Sequence, residues 1–138
     1  GCPTGQAVIP SGGNQGHLCI HAVGPIWSGG KNNEDELLRS AYLNSLSLAQ
    51  EYSIRSISFP SISTGAYCFP VDRAARIALR TVYDFLNSGA DFEEIRFVLF
   101  VEPVLKAFQA AWRELESIVD ESRSFQAGSF YIGYDVLY

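Results

Sequence analysis

The sequence predicts an α/β domain with a mostly parallel sheet and helices on both faces. Two observations carry this. Short apolar runs bounded by Gly, Pro and Asn alternate along the chain with segments of helical periodicity, an order that favours parallel pairing through helical crossovers. One run, Ile95 to Val101, is almost continuously apolar, as a strand covered on both faces should be. The length of 138 residues, 47% of them hydrophobic, suits one domain with a substantial core.

The first strand is Ala7-Val8-Ile9, closed by the turn signal Pro10-Ser11-Gly12-Gly13-Asn14. The second is Leu18 to Val23, stopped by Gly24-Pro25. A long helix follows, with Asn33 as N-cap, Glu36 completing a capping box, and Glu34 and Asp35 in the first turn, where the helix dipole favours negative charge. Its apolar face reads Leu37, Leu38, Ala41, Tyr42, Leu48, Ala49 and Tyr52.

The third strand is Ser56 to Phe59, and Pro60, which has no N–H to donate, ends its pairing. Pro70 opens a second helix, with Val71, Ala74, Ala75, Ala78, Val82, Phe85 and Leu86 inward, and Asn87-Ser88-Gly89 ends it. After the fourth strand, Pro103 starts a third helix facing inward through Val104, Phe108, Ala111, Leu115 and Ile118, with Trp112 beside them. From Ser122 to Tyr138 the chain is aromatic and poor in charge. Residues 129–138 read either as one more strand or as an exposed adhesive tail.

Composition excludes several functions. The formal net charge is −5, and two lysines and eight arginines are scattered without the basic stripe of a duplex binder. No apolar run approaches the roughly 20 residues that cross a bilayer. Three cysteines (Cys2, Cys19, Cys68) without paired spacing argue against a disulfide framework and for a reducing, cytoplasmic setting. Cys19-Ile20-His21 has a hint of metal-ligand spacing, but a buried thiol and a buried imidazole explain it better. No metal or other cofactor is expected.

In open α/β sheets the ligand crevice lies beyond the carboxyl ends of the strands. After the second strand comes Gly24-Pro25-Ile26-Trp27-Ser28-Gly29-Gly30-Lys31. This fails as a phosphate-binding Walker loop, because Pro25 stands where its first glycine belongs and Asn32 follows the lysine. A flexible loop leading to Asn33 is the expectation. After the third strand, Ser63-Thr64-Gly65-Ala66 offers small side chains and consecutive N–H groups ahead of a helix, an arrangement that binds an anion without a cationic side chain. Tyr67 and Phe69 would supply flat apolar walls. A plain strand-to-helix turn is the competing reading. Glu102 at the end of the fourth strand is explained by helix capping. With His17 and His21 both near the second strand, no nucleophilic constellation can be assembled, and the catalytic residues stay unknown.

Cys2-Pro3-Thr4-Gly5-Gln6-Ala7, Ile20-His21-Ala22-Val23-Gly24-Pro25 and Pro60-Ser61-Ile62-Ser63-Thr64-Gly65-Ala66-Tyr67 together resemble the macro domain family. The resemblance runs from Gly1 to about Val119, giving a macro-domain-like unit over residues 1–120 and an aromatic extension over 121–138. It implies a three-layer α/β/α fold, incomplete at the N-terminus, that binds ADP-ribose or a derivative. Some members hydrolyse ADP-ribosylated protein, O-acetyl-ADP-ribose or ADP-ribose 1″-phosphate. By resemblance, Ser63, Thr64, Gly65, Ala66 and Tyr67 wrap the diphosphate and distal ribose, and Phe100 sits near the adenine.

The chain departs from the family in lacking its N-terminal portion, which carries an adenine-reading aspartate, an Asn-rich segment and a Gly-rich loop. The residues credited with catalysis come largely from that portion, so hydrolase activity stays open. That portion also supplies a strand between those matching Leu18–Val23 and Ser56–Phe59. Three explanations follow: a fragment lacking its partner segment, remaining strands that pair directly, or a vacancy filled by the aromatic tail or a second copy. Cys68 stands where the family commonly has glycine, which would strain a positive φ. The leading expectation is an ADP-ribose-binding module, with ADP-ribose or an ADP-ribosylated protein as partner. A hydrolase and a decayed domain with a structural, oligomer-forming role and no ligand are the alternatives.

Overall fold

The computed structural model describes residues 2–8, 20–118 and 130–134. Its elements run β1 (Ala7–Val8), β2 (His21–Ala22), α1 (Glu34–Glu51), β3 (Ser56–Phe59), α2 (Val71–Asn87), β4 (Glu94–Leu99), α3 (Glu102–Ile118) and β5 (Phe130–Tyr134). This is the expected α/β order. Ile9, the turn at residues 10–14, His17, Leu18 and Cys19 lie outside the described residues, as does the remainder of the tail.

Two sheets form. In the larger, β4 is central and parallel to both neighbours, with Ile57 opposite Ile95, Phe59 opposite Phe97, and Ile95 opposite Phe130. The C-terminal aromatic stretch thus supplies a strand, beside β4. In the smaller sheet β1 and β2 pair antiparallel, Ala7 against Ala22. Main-chain bonds between Gly5 and Val23 and between Val23 and Gln6 extend that pairing. The Asn44 side chain donates to the Gly5 carbonyl (2.7 Å) and ties the ribbon to α1.

The core gathers on one face of the larger sheet. Ile95, Phe97 and Leu99 are buried, while Glu94, Arg96 and Val98 between them are only half-buried. Phe97 meets Phe108 of α3 at 5.1 Å between ring centroids, Phe59 at 5.7 Å and Tyr42 of α1 at 6.0 Å. Helix α2 packs between α1 and α3 through its small residues Ala74, Ala75 and Ala78, which allow close approach. Continuous apolarity in β4 therefore overstated its burial, since among the described residues one face is covered and the other is not.

Other expectations shift in detail. Helix α1 buries Leu38, Ala41, Tyr42, Ser45, Leu46 and Ala49, whereas Tyr52 is its exposed C-cap. Asn33 takes a left-handed conformation (φ 58°), and its side chain makes no capping bond. His21 is exposed rather than buried, because nothing among the described residues covers that side of the two-stranded ribbon.

Among the described residues the second and third strands do not pair directly: β2 pairs with β1 and β3 with β4 only. The C-terminal strand does not fill the space between β2 and β3 either, since it lies on the far side of β4. A cleft of about 490 Å³ separates the two sheets, lined by Ile20 and Ala22 on one side and Ser56 to Phe59 on the other.

Candidate functional site

The carboxyl ends of β2, β3 and β4 lead into three segments: residues 23–33, 60–70 and 100–101. The sequence-predicted residues Ser63, Thr64, Gly65, Ala66 and Tyr67 are brought together in the second, and Phe100 follows the adjacent parallel strand. Phe100 is 48% exposed and Tyr67 40%, so both present ring surface to solvent.

The loop after β3 is shaped by its own backbone. The Phe69 N–H donates to the Ser63 carbonyl (2.9 Å), and the Cys68 N–H to that of Gly65 (3.0 Å). Thr64 Oγ1 bonds to Ser61 Oγ at 2.8 Å. These bonds close a turn around residues 63–69 that needs left-handed backbone at two non-glycine positions, Ser63 (φ 67°) and Cys68 (φ 59°). Cysteine therefore occupies the strained conformation anticipated for it. The N–H groups of Ser63, Thr64, Gly65, Ala66 and Tyr67 donate to no described residue. Five consecutive donors without internal acceptors are what an anion-binding loop requires.

Tyr42 anchors the start of the loop from below. Its hydroxyl accepts from the Ile62 N–H (3.0 Å) and donates to the Pro60 carbonyl (3.4 Å). Burial pushes its ionisation well above the ordinary tyrosine range, partly offset by the Ile62 N–H.

The loop after β2, expected to be flexible, is instead held at several points. The Glu34 carboxylate is buried and accepts from the N–H groups of Ser28, Gly30 (3.1 Å) and Asn32 (2.8 Å). Gly29 (φ 93°) and Gly30 (φ 89°) give the curvature that brings those donors around one carboxylate. The bond from Ser28 holds Glu34 below the usual carboxylate range against the cost of burial, aided by Asn32, Gly30 and the Arg73 charge. Glutamate at the first position of α1 thus braces the preceding loop rather than capping the helix.

The two loops are also joined to each other. The Trp27 N–H donates to the Tyr67 carbonyl (2.9 Å). The indole packs on buried Phe69 at 4.9 Å, and the Arg73 guanidinium lies 5.1 Å from the indole centroid. Arg73 in turn grips Asp35 with two bonds of 2.7 Å. Bonding to Asp35 raises its already high pKa. Gly24 is buried against the loop, where a Cβ would stand 2.1 Å from Ser63 Oγ and 2.4 Å from Ile62 Cγ2. Sequence reasoning missed Glu34, Trp27, Arg73 and Asp35 as positioning groups. The available signal was the pair of glycines followed by an acidic helix start.

Glu102 opens α3 and pairs with Lys106 one turn on (3.2 Å), both well exposed. No helix among the described residues is long and apolar enough to cross a membrane.

The family profile described as Macro domain matches residues 1–78, more than half of the chain. The chain belongs to the macro domain family. A macro domain-containing protein of Caldanaerobacter subterraneus is 58% identical over 117 residues, covering 84% of this chain and 66% of that protein. A protein of Escherichia fergusonii named O-acetyl-ADP-ribose deacetylase is 54% identical over 102 residues, 73% of this chain and 58% of that one. Among solved structures, the Oceanobacillus iheyensis macrodomain with ADP superposes with a TM-score of 0.77 at 41% identity, over 84% of this chain and 61% of that one. The Trypanosoma brucei macrodomain in complex with ADP-ribose gives 0.72 at 33% identity, over 81% and 47%. This macro domain chain thus spans about three-fifths to two-thirds of the length of these curated relatives.

Proposed function

We propose that this macro domain chain binds ADP-ribose or a close derivative, free or carried on a protein, through the loop Ser63 to Tyr67. The observation that carries the reading is the run of five N–H groups from Ser63 to Tyr67 with no acceptor among the described residues. Such a run offers a diphosphate several charge-assisted bonds without any lysine or arginine. Tyr67 would flank the distal ribose, and Phe100, exposed after the neighbouring strand, would stack against the adenine. Residues 1–120 would form the ligand-binding unit, and the cysteine usage favours a cytoplasmic setting.

Hydrolysis of O-acetyl-ADP-ribose is the second reading, supported by the name of the 54% identical relative. It needs a group that orients or deprotonates water near the distal ribose. Glu34 and Asp35 are already committed, to three main-chain donors and to Arg73. Binding without turnover is therefore the better-supported activity of this chain.

Titration calorimetry with ADP-ribose tests the proposal, with O-acetyl-ADP-ribose turnover followed in parallel. Heat should appear with the wild-type chain and vanish in Gly65→Glu, which puts bulk and negative charge where the diphosphate would lie. No heat with millimolar ligand, in a chain shown to be folded by circular dichroism, would reject it and leave a structural role.

A further inference from the structure

The loop that carries the N–H run is held differently at its two ends. At its start the Tyr42 hydroxyl holds the Ile62 N–H, and Thr64 bonds back to Ser61. Ser63 and Gly65 are tied within the turn, to Phe69 and Cys68. Tyr67 takes part in none of these bonds. Its side chain makes no hydrogen bond or ring contact among the described residues, and its carbonyl accepts only from the Trp27 N–H. The exposed ring of Tyr67 therefore stands where Trp27 puts its main chain.

Trp27 in turn is confined on three sides. Phe69, a core residue, packs on the indole at 4.9 Å and a tilt of 59°. Gly30 leaves room for main chain alone, since a Cβ there would lie 2.9 Å from Trp27 Cη2 and 3.5 Å from Arg73 Nη1. The third side is the Arg73 guanidinium, 5.1 Å from the indole centroid. A guanidinium stays over a ring only when its own direction is fixed, and Asp35 fixes it with two parallel bonds of 2.7 Å. Arg73 lies in the first turn of α2 and Asp35 in the first turn of α1, so the stack joins both helix starts to the loop. The ion pair is half-exposed, 42% and 45%, and an exposed pair contributes little to the stability of the fold. Its contribution is to the direction of one ring.

We infer that Arg73 and Asp35 determine selectivity at the nucleotide site, setting the preference for a ribose beyond the diphosphate by fixing, through Trp27, where Tyr67 stands. This assignment rests on the ADP-ribose reading above and refines it. A diphosphate on the N–H groups nearer Ser63 depends on the end of the loop that Tyr42 and Ser61 hold. A sugar carried beyond the diphosphate meets the flat face of Tyr67, whose contact area counts only if the ring is in place. Slackening the stack therefore loosens the second contact and spares the first.

The test is titration calorimetry on the full chain with ADP-ribose and with ADP. The wild type should bind ADP-ribose about tenfold more tightly than ADP. Arg73→Ala should cut that preference to about twofold, with ADP affinity kept within about twofold and Tm lowered by less than about 5 °C. Should Arg73→Ala fail to fold, Asp35→Asn keeps the shape of the pair, weakens its grip and should lower the preference in the same direction. Tyr67→Ala should remove the preference by itself. Adding Arg73→Ala to it should remove no more, since the arginine acts only through that ring. Arg76→Ala, which breaks an ion pair with Glu114 elsewhere on α2, should alter neither affinity. Equal losses of ADP and ADP-ribose would reduce the pair to a structural role and overturn the assignment. So would a wild type that binds the two alike, a preference unmoved by Arg73→Ala and Asp35→Asn, or additive losses in the double variant. In each of these cases ADP-ribose binding itself stands. A chain that binds neither ligand overturns the binding reading first and this assignment with it.

Discussion

Replacing Gly24 by alanine is the sharpest probe of how the two loops depend on each other. The new Cβ would stand 2.1 Å from Ser63 Oγ and 2.4 Å from Ile62 Cγ2, against ordinary contacts beyond 3.4 Å. Ser63 Oγ could swing aside by rotation. Ile62 Cγ2 cannot do so as easily, because a β-branched side chain has few allowed rotamers. Residues 62 and 63 must therefore retreat by about an ångström, or the strand end carrying Gly24 must. Overpacking of this kind costs about 1–3 kcal/mol, or roughly 4–12 °C in Tm for a domain of this size. The retreat also moves the first of the five N–H donors, so ADP-ribose should bind at least about tenfold more weakly. Gly65→Ala is the internal contrast, since a Cβ there meets nothing within 4 Å. It should leave stability within about 0.5 kcal/mol of wild type while reducing affinity, because only a bound ligand would meet the added methyl. Thermal melts and calorimetry on both variants decide the matter. Wild-type stability and affinity in Gly24→Ala would refute the coupling, and unaltered affinity in Gly65→Ala would refute the placement of the ligand.

Cys68→Gly should stabilise the chain by about 0.5–1 kcal/mol, the left-handed penalty relieved less the extra entropy of an unfolded glycine; denaturant midpoints measure it. Glu34 has a folded pKa below its ordinary value of 4.5, so its contribution is complete above that value and is lost as pH falls through the folded pKa. The protection of the Ser28, Gly30 and Asn32 amides against exchange should fall in the wild type as pH drops below 4.5, and Glu34→Gln should show reduced protection already at neutral pH. Tyr42 behaves in the opposite sense, because its folded pKa is raised. Its contribution is complete below pH 10 and declines above it as the unfolded chain ionises first. Tyr42→Phe should remove that alkaline dependence, and should cost about 1–3 kcal/mol by leaving the Ile62 N–H without its acceptor.

Much of the fold was legible because its signals are local. The boundaries of β3 follow from Pro60, and those of α2 from Pro70 and Gly89, whose φ of 96° fits a helix stop. Helix α3 and the strand at residues 130–134 likewise fall where periodicity and aromatic content put them. What was not legible depends on pairing at a distance. Nothing local tells that His21 would sit on an uncovered ribbon, or that the last strand would choose β4 over the gap beside β3. In the site, the run Ser63 to Tyr67 could be singled out by its small residues and position. Its anchoring could not, because Tyr42 and Trp27 act across 20 and 40 residues of chain. Glu34 was visible as a helix-start acid, yet its three main-chain partners exist only once Gly29 and Gly30 have turned.

The indole of Trp27 rests between a buried phenyl ring and a guanidinium while its main-chain N–H holds the carbonyl of Tyr67. The chain has two tryptophans, and the other, Trp112, is on α3. Emission from Trp27 therefore gives this protein a built-in optical gauge of events in the loop after β3, readable in a Trp112→Phe background without any attached dye.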